Sequence, residues 1–301
     1  MRIQMVVVGV LLIGGLAGPT WATPQATTLQ GVIVSAEVSK DEATGIFTYR
    51  YRVSNPAPND GQIISLRIEI SRGPSEAVLS RDGLFNGPRY LRSSSEDAFQ
   101  RAPMVPVGMS GPEGWISGLG FDAQTPPRGL AAWGGSEAVR ILPGQTLEGF
   151  QLTSYGLPGI RQIQAEPDVE PPQDLGEWAQ LNAFYEQFTF RAKTVGPKAP
   201  PQTFVPLEFL NYLITLLHDT RRLGWIKVDG VHQSLLGKLI TAKRKLEAGD
   251  TPVAKDTLNA FLNEVRAVSC LEFSCPGNKP ETSEAYALLY FNGKYLHDRL
   301  P

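Results

Sequence analysis

Two stretches in the first half of the chain alternate hydrophobic and polar residues with a period of two. They are separated by a turn-forming segment at residues 55–61. The hydrophobic positions are Phe47, Tyr49, Tyr51 and Val53 in the first stretch and Ile64, Leu66, Ile68 and Ile70 in the second. A period of two is typical of strands with one buried face, so both stretches are predicted to face the same core.

Three more segments have strand character. Residues 29–40 and 184–195 alternate in the same way, and a Pro143-Gly144 turn precedes a strand predicted from Thr146 to Ser154, with Phe150 and Leu152 toward the core. Gly149 is expected at a bulge, and a second turn at Pro158-Gly159 is expected to end this strand. Short strands separated by Gly and Pro predict an antiparallel, immunoglobulin-like β-sandwich over residues 28–195, with the strand order between Arg72 and Arg140 left open.

A proline-rich linker is predicted at residues 196–203, and after it the hydrophobic residues recur at spacings of three and four. The inward positions are Phe209, Leu210, Leu213, Ile214 and Leu217; Leu235, Leu239, Ala242 and Leu246; Ala254, Leu258, Phe261, Leu262 and Val265; and Ala285, Leu288, Leu289 and Leu296. These four amphipathic segments predict an all-α four-helix bundle over residues 204–301. Thr251 is expected to cap the third of them and Thr282 to begin the fourth.

The helical half resembles a known family. The resemblance rests on the Gly249-Asp250-Thr251 link, the Leu258-Asn259-Ala260-Phe261 segment and the small-residue final helix. These features are similar to the FIMAH-type helical domain found at the carboxyl ends of bacterial extracellular proteins. The resemblance implies an accessory domain on a secreted or surface protein, and it brings no catalytic residues to transfer. The loop between Cys270 and Cys275 departs from the family pattern.

The first 22 residues have the features of a secretion signal. Arg2 is followed by a short hydrophobic run, which Gly and Pro interrupt before a small-residue exit with Thr20 and Ala22. We therefore expect a signal peptide at residues 1–22 and an exported protein, periplasmic or extracellular. The alternative is an uncleaved anchor, and no later segment is hydrophobic enough to span a membrane.

The charge balance argues against nucleic acid as a partner. The formal net charge is -2, and it becomes -3 when Arg2 leaves with the signal. A near-neutral chain has no extended positive field to gather a polyanion.

The motifs of common active sites are incomplete. Gly144 and Gly149 have the spacing of a phosphate loop, but Lys and Ser/Thr do not follow them. The segment around Ser110 lacks the second glycine of a serine elbow, since Pro112 stands there. We therefore expect no catalytic residues and no cofactor.

Two other patterns raise the question of a metal. The sequence Leu-His-Asp occurs at residues 217–219 and 296–298, near two helix ends, where His is also favoured by the helix dipole. Glu166, Asp168 and Glu170 alternate in an acidic segment that continues to Glu177, and alternating carboxylates can converge on calcium. We interpret both patterns as metal-free, with calcium left open for the acidic segment.

Trp115 and Trp133 lie among glycines, so we expect them in loops. There they could form an exposed platform for a glycan or for a surface or matrix protein. The alternative is that they close the end of the sandwich core. The preferred function is a non-enzymatic attachment or binding module. The alternatives are an exported carbohydrate-active hydrolase, with carboxylates such as Glu113 and Asp122, and a purely structural spacer.

The two cysteines generate the first testable prediction. Cys270 and Cys275 are the only cysteines, and in an exported protein such a pair is expected to form a disulfide, worth about 2 kcal/mol in the chain-entropy treatment. A peptide map of the unreduced protein should contain one cross-linked peptide with both residues. Free thiols at both positions would contradict the pairing.

Overall fold

The computed structural model describes residues 29–72, 108–122, 128–136, 138–171, 178–273 and 279–301. The predicted signal peptide, Cys275 and the end of the acidic segment with Asp174 and Glu177 lie outside these ranges. The described part of the chain contains nine strands and five helices.

Two antiparallel sheets form the first half, as the alternation predicts. The strands are β1 (Ile33–Lys40), β2 (Phe47–Ser54), β3 (Ile63–Arg72), β4 (Gly108–Ser110), β5 (Trp115–Asp122), β6 (Arg128–Gly135), β7 (Thr146–Ser154), β8 (Leu157–Pro167) and β9 (Phe190–Lys198). One sheet has the order β1-β2-β7-β4 and the other the order β5-β6-β3-β8-β9. Both sheets place a row of fully buried residues between them, which makes the architecture a sandwich.

The predicted inward faces are confirmed for β2 and corrected for β3. Tyr49, Tyr51 and Val53 are fully buried, but at the start of β3 the buried residue is Ile63 and not Ile64. The pairing of β3 with β8 shifts register between residues 63 and 65, and an extra residue in one strand reverses the alternation locally.

The strand Thr146–Ser154 and its bulge are confirmed. The register with β2 passes from Phe150 to Glu148 and skips Gly149, whose φ of 101° is the left-handed conformation that glycine adopts without strain. The second predicted turn is wrong. Pro158 and Gly159 pair with β9 inside β8, and the chain reverses earlier, at residues 155–156.

The strand predicted at residues 184–195 is wrong in its first half. Helix α1 spans Trp178–Phe188, and only from Phe190 does the chain join the sheet as β9. The segment WAQLNAFYEQF has no interior Gly or Pro and is rich in Ala, Leu, Gln and Glu, whose helix propensity outweighs the short alternation at its end.

Four helices follow β9: α2 (Pro206–Arg222), α3 (Asp229–Glu247), α4 (Thr251–Val268) and α5 (Ser283–Arg299). Together with α1, which lies between β8 and β9, five helices of the described chain follow β8, whereas four are predicted. Along the chain each of the last four contacts the next, and α5 also contacts α2. Thr282 caps α5 as expected, but the cap of α4 is Asp250, whose carboxylate accepts from the amide of Val253 at 3.4 Å. Thr251 is the first helical residue instead.

Helix α5 lies between the sandwich and the other helices. It contacts α2 and α4 on one side and β1, β8 and β9 on the other. Because it is covered on both sides, its buried residues surround the helix instead of forming one stripe. The buried hydrophobic residues of the strands and helices form one continuous core. The predicted linker at residues 196–203 is accordingly too long, because β9 continues to Lys198 and belongs to the sheet.

Two prolines face each other in the β8–β9 pair, and side chains compensate for them. Pro158 and Pro197 are register partners, and neither has an N–H to donate. The carbonyl of Pro158 accepts from the Asn292 side-chain amide at 2.9 Å, and that of Pro197 accepts from Arg161 Nε at 2.9 Å. Asn292 is fully buried in α5, so this hydrogen bond ties the sheet to the helices.

The Asn292 bond gives a stability prediction. Replacing Asn292 with Ala leaves the Pro158 carbonyl without this donor, and it should lower the free energy of unfolding by about 2 kcal/mol in urea titrations. Asn263→Ala, at an exposed position of α4, is the control and should change it by less than about 0.5 kcal/mol. Equal changes in the free energy of unfolding for Asn292→Ala and Asn263→Ala would show that the hydrogen bond from Asn292 to the Pro158 carbonyl contributes nothing to stability.

Candidate functional site

Two adjoining hollows lie where the chain passes from β9 to α2. The first, of about 190 Å³, is lined among others by Lys198, Glu208 and Tyr212, and the second, of about 250 Å³, by Tyr155 and Tyr295 together with charged residues. They share the side chain of Leu157. We name the two hollows together the junction cleft, because sheet and helix residues both line it.

An aromatic cluster lies along the cleft. Phe204, Phe209, Tyr212 and Tyr295 make consecutive ring contacts, the closest of them 5.0 Å between the centroids of Phe209 and Tyr295. Tilted and edge-to-face contacts at such distances are the favourable arrangements for aromatic rings. The rings therefore hold each other and fix the start of α2 against the end of α5.

Cations lie on two of these rings. Lys198 Nζ is 4.2 Å from the centroid of Tyr212, and the Arg299 guanidinium carbon is 3.6 Å from the centroid of Tyr295. Both distances are within the range in which a cation is attracted to an aromatic face.

The remaining charges of the second hollow are paired. Lys40 contacts Glu42 at 2.8 Å, and Lys294 contacts Asp298 at 2.8 Å. The Asp298 hydrogen bond raises the pKa of Lys294. Within the described ranges Arg299 has no carboxylate within ion-pair distance, so its guanidinium keeps hydrogen-bond donors for a ligand.

Chemically, the second hollow combines a flat aromatic surface with a fixed guanidinium. Tyr155, which lines this hollow, is 38% exposed, and the Arg299 guanidinium lies over the Tyr295 ring. A planar guanidinium binds a carboxylate through two parallel hydrogen bonds, and an aromatic face suits the apolar face of a ring. The cleft is therefore suited to a compact ring that carries a carboxylate.

The prediction that Trp115 and Trp133 lie in loops is wrong. Trp115 begins β5 and Trp133 lies in β6, and they are only 7% and 0% exposed. Both rings contact Phe150 edge to face, at 5.0 Å and 5.9 Å between centroids. They fill the core between the sheets, so they offer no exposed platform. The alternative interpretation of these residues places them at the end of the core.

The glycines around the two tryptophans make room for the indole rings. A Cβ on Gly111 would lie 3.0 Å from Cδ1 of Trp133, and one on Gly135 would lie 3.4 Å from Cε2 of Trp115 and 2.1 Å from the Val139 carbonyl oxygen. A glycine-rich surrounding thus reflects close packing inside a sheet here, and not a loop.

The carboxylates named for a hydrolase are far apart. Glu113 precedes β5 and Asp122 ends it. An eight-residue strand rises about 23 Å between its first and last residue at about 3.3 Å per residue. A glycosidase pair requires a separation of about 5 to 10 Å, so these two residues cannot form one.

The acidic segment is bound by arginines where the structure describes it. Glu166 contacts Arg67 at 2.9 Å, and Asp168 forms an ion pair with Arg140. Across the described residues no group of three or more His, Cys, Asp or Glu side chains is placed to hold a metal ion. Calcium binding by this segment has no support from the described carboxylates.

The two Leu-His-Asp sequences do not meet. The Phe209–Tyr295 ring contact puts the end of α5, with His297, beside the beginning of α2, while His218 lies near the other end of α2. His218 instead contacts His232 at the beginning of α3, with 3.2 Å between Nδ1 and Nε2.

Sequence reasoning missed both the junction cleft and the histidine pair. Their residues come from segments far apart in the sequence, and no local motif joins them. The one available signal for the cleft was the density of aromatic residues on either side of the proline-rich segment.

The chain matches no protein-family model and no curated protein. Among solved structures it resembles the crystal structure of an uncharacterized protein from Nocardia farcinica with an immunoglobulin-like fold, at 10% identity and a TM-score of 0.29, over 56% of this chain and 98% of that chain. A likeness at this TM-score carries no argument, so the two-sheet description rests on the strand pairing. Of the helices in the described ranges, none has both the length and the hydropathy of a membrane span.

Two buried glutamates lie at the beginning of α5. Glu281 precedes the helix and accepts a hydrogen bond from the Ser269 hydroxyl, and burial raises its pKa from 4.5 to about 7. Glu284 accepts from the amide of Ala36 in β1 at 2.7 Å, and burial also raises its pKa. A pKa that is higher in the folded state stabilises the protein below the unfolded pKa, and this contribution is lost as the pH rises through the folded pKa.

We therefore predict that the contribution of Glu281 to the free energy of unfolding falls between about pH 4.5 and pH 8. The shift from 4.5 to about 7 corresponds to about 3 kcal/mol at about 1.4 kcal/mol per pKa unit. The free energy of unfolding of the wild type should fall over this range relative to that of Glu281→Gln, measured by urea unfolding at each pH. Glu272→Gln, at an exposed position, is the control. If the free energy of unfolding of the wild type changed with pH in parallel with that of Glu281→Gln, the raised pKa of Glu281 would be contradicted.

Proposed function

We propose that the protein is an exported, non-enzymatic binding module, an immunoglobulin-like sandwich joined to a FIMAH-like helical domain, which holds an acidic glycan in the junction cleft. The observation that carries the proposal is the Arg299 guanidinium, which lies 3.6 Å from the centroid of the Tyr295 ring and has no carboxylate partner in the described part of the chain. Export is proposed from the signal-like first 22 residues and from the family resemblance.

The charges of the cleft favour an anion. In the second hollow the pairs Lys40–Glu42 and Lys294–Asp298 cancel, which leaves the guanidinium of Arg299 as a net positive charge. A uronic acid residue supplies both a carboxylate for this group and a ring for the aromatic rim.

The size of each hollow suits one compact group rather than a drug-sized ligand. The hollows of about 190 Å³ and 250 Å³ are smaller than the pockets of about 300 to 1,000 Å³ that hold drug-sized ligands. Each accommodates one compact group, such as one residue of a chain. A chain of sugars can place successive residues in the two hollows across Leu157.

The proposal predicts selective binding to polyuronates. Titration calorimetry of the full chain without its signal should detect binding of oligogalacturonate but not of an uncharged oligoglucan. Arg299→Gln should weaken the affinity by about 10-fold to 100-fold, because a hydrogen bond to a charged group is worth about 1.5 to 3 kcal/mol.

Arg266→Gln is the matched control. Arg266 also lies over a tyrosine ring, that of Tyr290, at 4.8 Å, but it does not line the cleft, so its replacement should leave the affinity unchanged. Equal binding of the charged and uncharged glycans, or equal losses in the two variants, would contradict the acidic-glycan proposal. No binding of either glycan would favour a structural spacer.

A further inference from the structure

The histidine pair lies at the corner between α2 and α3. His218 Nδ1 and His232 Nε2 are 3.2 Å apart, and the ring centroids are 5.2 Å apart. Two helix backbones bring the rings together, since His218 lies near the end of α2 and His232 is in the first turn of α3. A hydrogen bond between two imidazoles requires one N–H and one lone pair, so a single proton is shared between two nitrogens.

The separation of the nitrogens matches that in a metal site. In tetrahedral Zn²⁺ coordination two nitrogens at about 2.05 Å from the ion lie about 3.3 Å apart. The observed 3.2 Å is close to this separation, and to bind an ion the rings would have to rotate so that both lone pairs point at a common centre. An ion would then replace the shared proton.

Access and charge are compatible with an ion. His218 is exposed and covers the buried His232, so one side of the pair faces solvent. The charged groups that act on His232 are Arg221 and Asp229, which pair with each other at 2.6 Å and largely cancel.

We propose that His218 and His232 form a two-histidine site for a late first-row divalent cation of the Zn²⁺ type, with water in the remaining positions. The site differs from the junction cleft in location and chemistry, and it does not depend on the proposed function. An imidazole pair suits Zn²⁺, Ni²⁺ and Cu²⁺, whereas Ca²⁺ and Mg²⁺ prefer oxygen ligands.

The test uses the full chain without its signal and without a polyhistidine tag. Titration with ZnCl2 should show one ion per chain, and saturating Zn²⁺ should raise Tm by about 5 °C, because an ion that binds only the folded state stabilises it. MgCl2 at the same concentration should leave Tm unchanged. In NMR spectra of the imidazole nitrogens, Zn²⁺ should shift the signals of His218 and His232 and leave those of His297 in place.

The three histidines of the chain supply matched variants. His218→Ala, at an exposed position, should retain the fold by circular dichroism and lose both the stoichiometric binding and the Tm increase. His297→Ala should retain them, although His297 also lies beside a carboxylate, that of Asp298, at 3.1 Å. Absence of binding to the wild type, or binding that survives in His218→Ala, would overturn the site and leave the pair as a hydrogen bond of the fold.

Discussion

Polar backbone groups of the sandwich that the sheet leaves unpaired are satisfied by α5, and the arrangement of the two halves depends on this. The outermost strand β1 presents the amide of Ala36 to the Glu284 carboxylate, and the Pro158 carbonyl accepts from Asn292. A buried backbone group without a partner costs about 1 to 3 kcal/mol. The two side chains thus bind α5 to the sheets through contacts that a purely hydrophobic interface would not specify. In addition, a covered outer strand is protected from pairing with other chains.

The junction cleft follows from the same contacts. Helix α5 carries Tyr295 and Arg299 at its end, and the position of this end relative to Tyr155 is set where Asn292 and Phe291 meet the sheets. The aromatic contacts with the beginning of α2 then close the other side of the cleft. The candidate site is thus a product of how the halves dock, and neither half contains it alone.

The features that the sequence predicted depend on interactions between residues that are close in the sequence. The features that it missed depend on contacts between distant segments. Alternation identified the inward face of β2, and the Pro-Gly turn located β7 to the residue, because both signals act between near neighbours. The failures at Ile64, at residues 184–188 and at Pro158 are places where register or helix propensity decides between similar local patterns. The surroundings of Trp115 and Trp133 show that glycines in a sequence can indicate either a turn or close packing against a large ring. Only the packing of the folded chain distinguishes the two. The cleft and the histidine pair join distant segments, and hydrophobic periodicity says nothing about such encounters.

We infer that the sandwich and the helices form one cooperative unit around α5. Native-state hydrogen exchange measures this most directly, through the opening free energies of amides in β2 and β7 and in α3 and α4. We expect the slowest amides of all four elements to converge on one opening free energy, that of global unfolding, as denaturant is added. Helix amides that exchange through a separate opening of lower free energy, while the strands stay protected, would contradict it.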